Sequence, residues 1–176
     1  VLVSGFAGIF EVLGDRLDIV NWYGTPRADE AAQWHRNGKK IWNYGAPQAG
    51  GEDPEIYRRN FGVYLWQRNY DGVSDYCYAD PFAPSFHRGF NFVYPTVDDV
   101  IDTLPWEAFR EALDDIRYAS TLTQAIREAR TSGNPEAVSI ALEAEAFLDR
   151  TDTTSCDLDW LRLQMIRYTL RLAEAR

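Results

Sequence analysis

Four residue types are scarce in these 176 residues: two cysteines, two histidines, one methionine, and two lysines, Lys39 and Lys40. Cys77 and Cys156 fit no zinc-ligand spacing and are too few for a disulfide framework. Positive charge is also short. Eighteen Lys and Arg stand against 27 Asp and Glu, a formal net charge of −9. That balance argues against a nucleic-acid partner, since phosphate binding needs a basic face. No run of about 18 apolar residues occurs, so no membrane partner is expected. P-loop, dinucleotide fingerprint and serine nucleophile elbow are all missing, and no cofactor or metal is expected. The first residue is Val1 rather than Met, no secretory signal is visible, and Val1–Ser4 already reads as a strand. The expectation is therefore a truncated N-terminus, with more protein before Val1.

What the chain does have is rings. It is 45% hydrophobic and 14% aromatic, with 6 Trp, 10 Tyr and 9 Phe. Such a composition can bury enough apolar surface to fold. Strand-like runs at 1–4, 18–23, 39–45 and 73–79 alternate with helical patterns at 29–37 and 54–69. Gly24-Thr25-Pro26, Gly38 and Gly45-Ala46-Pro47 stop them. Short links between strand and helix are the mark of parallel βαβ units. Residues 79–103, rich in Pro and Phe, read as a long ordered loop with a short extended piece at 92–94. Helices follow at 105–130, 135–149 and 157–174. The apolar face of the first of these is read as Trp106, Phe109, Leu113, Ile116, Leu122 and Ile126. The organisation expected is a β/α part over 1–103 and C-terminal helices over 104–176.

Acidic pairs at Asp29–Glu30, Glu52–Asp53, Asp98–Asp99 and Asp114–Asp115 lie at helix starts, in loops or within a helix. None makes a catalytic dyad at a strand end. His35 falls in a helix and reads as structural, while His87 lies in the Pro/Phe-rich loop. The ends of the strands are more informative, because parallel sheets build their sites there. Trp22, Tyr23, Trp42, Tyr44 and Tyr76 cluster at those ends, with Asp75, Asn21 and Asn43 nearby. Rings stack on the apolar faces of sugars, and carboxylates and amides bind the hydroxyls. Period-two alternation puts Trp42 and Tyr44 on one face of their strand, with Ile41 and Asn43 on the other.

The segments "LDIVNWYG", "GKKIWNYGAPQAGGEDPEIYRRNFGVYLW", "YDGVSDYCY", "FVYPT" and "WEAFREALDDIRYASTL" occur in that order. Together they resemble the C-terminal half of the catalytic domain of glycoside hydrolase family 123 and its relatives, many of which are known only as a domain of unknown function. The resemblance covers residues from about 17 to 130. It implies α/β architecture: the C-terminal portion of a (β/α)8 TIM-type barrel followed by a helical tail. It also implies a substrate-assisted, retaining hexosaminidase-like chemistry on N-acetylhexosamine-type glycosides, without the usual pair of working carboxylates. The family's adjacent Asp–Glu pair at a strand end has no counterpart here, so it is expected upstream of Val1. No catalytic residue carries over. The expected sugar contacts are Trp22, Tyr23, Trp42, Tyr44, Asp75 and Tyr76. The expected partners are a carbohydrate and, over the open sheet edges, the rest of the barrel or another chain. The rival reading is a non-catalytic carbohydrate-binding or structural module. Export is common in that family.

Overall fold

A computed structural model describes residues 1–44, 53–79 and 91–175. Four strands, β1 (Leu2–Gly5), β2 (Ile19–Tyr23), β3 (Lys40–Tyr44) and β4 (Gly72–Ser74), form one parallel sheet in the order β1-β2-β3-β4. They pair in register: Ser4 beside Asn21, Asn21 beside Trp42 and Trp42 beside Gly72; one step on, Trp22 lies beside Asn43 and Asn43 beside Val73. Parallel neighbours need a crossover. The first is α1 (Ile9–Leu13), five residues that the sequence pattern does not announce, and the second is α2 (Ala28–Arg36). Gly38, at φ 67°, ends α2 as its pattern implied, its N–H reaching the His35 carbonyl at 2.9 Å.

The helix expected over 54–69 is two. Asp53 caps α3 (Pro54–Phe61) by accepting the Ile56 N–H at 3.4 Å, with Pro54 in the first turn. Gly62 then breaks the helical path before α4 (Val63–Gln67). β4 is shorter than its 73–79 reading, because after Ser74 the chain turns out of the sheet. The Cys77 and Tyr78 carbonyls instead accept the Phe92 and Val93 N–H groups at 3.1 and 3.0 Å. Within the stretch read as loop lies an antiparallel hairpin, β5 (Val93–Pro95) and β6 (Val100–Asp102). Thr96 closes its turn, taking the Asp99 N–H on its hydroxyl at 2.9 Å and giving its own N–H to the Asp99 carbonyl at 2.7 Å.

Three helices complete the chain: α5 (Leu104–Thr131), α6 (Pro135–Arg150) and α7 (Leu158–Glu174). The chain divides into two compact units, Val1–Ala112 and Leu113–Arg176, with the boundary inside α5. In the first unit, one core gathers Leu17, Val20, Trp22, Ala31, Trp34 and Ile41, and a second gathers Tyr57, Phe61, Phe92, Ala108 and Ala112. The buried stripe of α5 runs through Ala108, Ala112, Asp115, Ala119, Leu122, Ala125, Ile126 and Ala129, while Leu113 faces water. Leu122 and Ile126 of the face read from the sequence lie in that stripe, and Trp106 and Phe109 pack against the second core; only Leu113 turns outward, and small alanines fill the rest. In the second unit α6 buries Ala137, Ile140, Ala141 and Ala144, and α7 buries Leu158, Leu161, Met165 and Leu172. Asp115, only 1% exposed, pairs with Arg162 at 2.5 Å. Among the described residues no helix is long and apolar enough to cross a membrane.

Candidate functional site

In a parallel sheet, residues in register share a face. Val20, Trp22 and Ile41 therefore point to the side that Ala31 and Trp34 of α2 cover, with Ile9, Phe10 and Leu13 of α1 packed against it. The opposite side carries Ser4, Asn21, Tyr23, Trp42, Tyr44 and Ser74. It is polar and aromatic, where the first is apolar.

Three features order this second face. Asn21, buried, donates its amide to Ser4 Oγ at 3.3 Å and accepts the Ser74 hydroxyl at 2.9 Å. That second bond joins β2 to β4 over the top of β3. Trp42 lies against Gly72: a Cβ there would stand 2.7 Å from the indole Nε1, so only glycine leaves room for the ring. Tyr23 and Tyr44, neighbours in register at the C-terminal ends of their strands, hold their rings 5.7 Å apart at 41°. Tyr23 is 52% exposed and Tyr44 half-buried, so this pair faces outward at the strand ends.

The six residues singled out from the sequence thus part company. Tyr23, Trp42 and Tyr44 share the aromatic face. Trp22, one residue from Tyr23, belongs to the helix-covered core, and its indole N–H donates to the Thr25 carbonyl at 3.2 Å. Asp75 and Tyr76 follow β4 rather than lying within it. The Asp75 carboxylate accepts the Tyr76 N–H at 2.8 Å, and the Tyr76 ring is exposed. Asn43 faces the core and spends its amide on the Trp22 and Gly24 carbonyls at 3.2 and 2.9 Å. It is a clamp on the turn after β2, where Gly24 takes a φ of 124°.

The remaining candidates are structural. His35 and Asp71 meet at 2.8 Å, but Asp71 also accepts the Ile41 N–H at 2.9 Å, and Asn69 donates to the other imidazole nitrogen at 3.0 Å. This network ties the end of α2 to the start of β3, at the opposite end of the sheet from the tyrosine pair. Asp29 is held below the usual carboxylate range by its hydrogen bond from Arg27, and burial pushes Glu30 up. Burial also pushes the Tyr70 hydroxyl up to about 12, the nearby Glu30 and Asp29 charges adding to the rise and the Arg27 N–H bonded to it opposing. Asp99 shapes the hairpin turn, its carboxylate accepting the Val100 N–H at 2.8 Å. Neither cysteine is in a disulfide, and the Cys77 thiol donates to Asn91 Oδ1 at 3.6 Å. His87 and Glu52 lie outside the described residues. No group of three or more His, Cys, Asp or Glu that could hold a metal occurs among the described residues. Asn21 was singled out from the sequence, but its serine partners Ser4 and Ser74 escaped that reading, although all three share a face with Trp42 once the register is known.

Compared with known proteins, the chain matches no family model and no curated protein sequence.

Proposed function

We propose that this chain is the C-terminal part of a (β/α)8 barrel of the glycoside hydrolase family 123 type, and that it binds an N-acetylhexosamine-type glycoside at the C-terminal ends of β2, β3 and β4. In this reading the chemistry is glycoside hydrolysis, assisted by the substrate's acetamido group. The Asp–Glu pair it needs would come from chain preceding Val1.

The observation that carries the reading is the composition of the outward face of the sheet. Tyr23, Trp42 and Tyr44 supply aromatic surface for the apolar side of a sugar ring, while Ser4, Asn21 and Ser74 form a polar floor. The Ser74–Asn21 bond joins β2 and β4 above β3, so the polar floor spans three strands. Asp75 and Tyr76, just past β4, stand where the loops of such barrels carry their contacts.

The test uses the protein encoded by the full reading frame that contains this chain. Its sequence should contain an adjacent Asp–Glu at a strand end, and it should cleave chromogenic N-acetyl-β-hexosaminides. Truncating Tyr44 to alanine should weaken ligand binding by roughly 1–3 kcal/mol, by analogy with base stacking on rings, while leaving the melting temperature nearly unchanged. Binding without cleavage would identify a non-catalytic carbohydrate-binding protein. Neither binding nor cleavage would end the proposal.

A further inference from the structure

The geometry points to a second saccharide site in the Leu113–Arg176 unit, an open cleft between α6 and α7 that takes a neutral pyranose unit of a longer glycan. The cleft encloses about 500 Å³ and is lined in part by Glu143, Phe147, Arg150, Asp152, Trp160 and Tyr168. That volume is within the usual range for small-molecule sites.

Its walls are aromatic. Phe147 lies with its ring centroid 5.6 Å from Trp160 and 5.4 Å from Tyr168, and Trp160 remains 48% exposed. A half-exposed indole at the mouth of a cleft gives an apolar plane on which a ring can settle. The charges around it are already matched. Glu143 pairs with Arg171 at 3.0 Å, and the same guanidinium sits 5.4 Å over Tyr168. Asp152 accepts the Thr154 N–H at 2.9 Å and the Thr154 and Ser155 hydroxyls at 2.6 and 2.7 Å. An amine or a metal ion would find its carboxylates committed, and an anionic ligand would meet two acidic side chains. A neutral polyol suits this surface better. Its C–H face covers the indole, and its hydroxyl oxygens accept from the Arg150 guanidinium, whose Nε is the atom bonded to the Ala146 carbonyl.

The cleft is also formed in advance. The Cys156 N–H returns to the Asp152 carbonyl at 3.0 Å, and the Thr151 hydroxyl to the Phe147 carbonyl at 2.8 Å, so the loop joining α6 to α7 is set before any ligand arrives. A preordered site avoids much of the entropy cost of binding. This site is separate from the sheet ends and stands or falls independently of them.

The experiment is affinity electrophoresis of the full chain in native gels containing soluble neutral polysaccharides: galactomannan, xyloglucan, mixed-linkage β-glucan and arabinoxylan. At least one should retard the protein. Trp160→Ala, its fold checked by circular dichroism, should weaken that retardation roughly tenfold or more, and Arg150→Ala should weaken it less. Arg117→Ala, at an exposed position in neither proposed site, should retard as the parent does, while Tyr44→Ala reports on the sheet ends. No retardation by any of the four polysaccharides overturns the proposal. So does retardation that persists in Trp160→Ala; if Tyr44→Ala then abolishes it, the sheet-end reading gains support as this one falls.

Discussion

Asp114 pairs with Arg117 on the surface of α5, at 2.6 Å and with both side chains well exposed, whereas its neighbour Asp115 is buried against Arg162. Arg110 pairs with Glu107 in the same exposed manner as Asp114 with Arg117. The sequence spacing suggests a single network through Arg110; the structure holds separate pairs. Exposed pairs contribute under about 1 kcal/mol, so Arg110→Ala should barely move the denaturation midpoint. Arg162→Ala leaves Asp115 buried without its cation and should cost about 3–5 kcal/mol in chemical denaturation. Asp115 was readable in part: it sits between Ala112 and Ala119 on the helical stripe, but its partner lies 47 residues away and no spacing rule reaches that far. Tyr70 supplies a pH prediction. Its folded pKa, about 12, exceeds the ordinary value of 10.0, so the unfolded chain loses this proton first. The contribution is complete below the unfolded value and falls away as pH rises from there through the folded one. Stability of the parent should therefore decline across that interval more steeply than that of Tyr70→Phe, measured by urea midpoints at each pH.

At the scale of elements, strands were legible as β-branched and aromatic runs closed by glycine, and their parallel pairing followed from the short helical links. The break at Gly62 was not legible, because Tyr57, Phe61 and Leu65 keep one helical period across it. What forces it is close approach: a Cβ on Gly62 would stand 2.5 Å from the Arg58 carbonyl oxygen and 3.2 Å from Ala112. Gly62→Ala should lower the melting temperature clearly, since backbone must shift to admit the methyl. Gly72→Ala meets a side chain instead and should cost about 1–3 kcal/mol as the Trp42 indole is displaced. For the site, period-two alternation placed Trp42 and Tyr44 together, as the register has them. The same rule separates Trp22 from Tyr23. Only the packing of α1 and α2 decides which of the two meets a core, and a strand's own sequence does not carry that information.

On the scale of the whole molecule, β1 pairs only with β2 and β4 only with β3, so among the described residues the parallel sheet has two unpaired edges. Leu2 on β1 and Phe6 just after it are exposed apolar residues at one of them. Such edges recruit further strands. The chain should associate with rising concentration in sedimentation equilibrium, and Leu2→Lys should reduce that association; a monomer at every concentration would contradict the expectation. The placement of the tryptophans has an optical consequence. Trp34 is fully buried, edge-on to Phe10 at 5.0 Å, and its indole N–H has no hydrogen-bond partner among the described residues. Trp160 is the one tryptophan of Leu113–Arg176 and is half open to solvent. One indole therefore emits from a dry, apolar surround, at short wavelength and beyond the reach of iodide. The other emits from water, red-shifted and quenchable, so these two indoles mark the extremes of iodide quenching, with the half-buried Trp42, Trp66 and Trp106 between them.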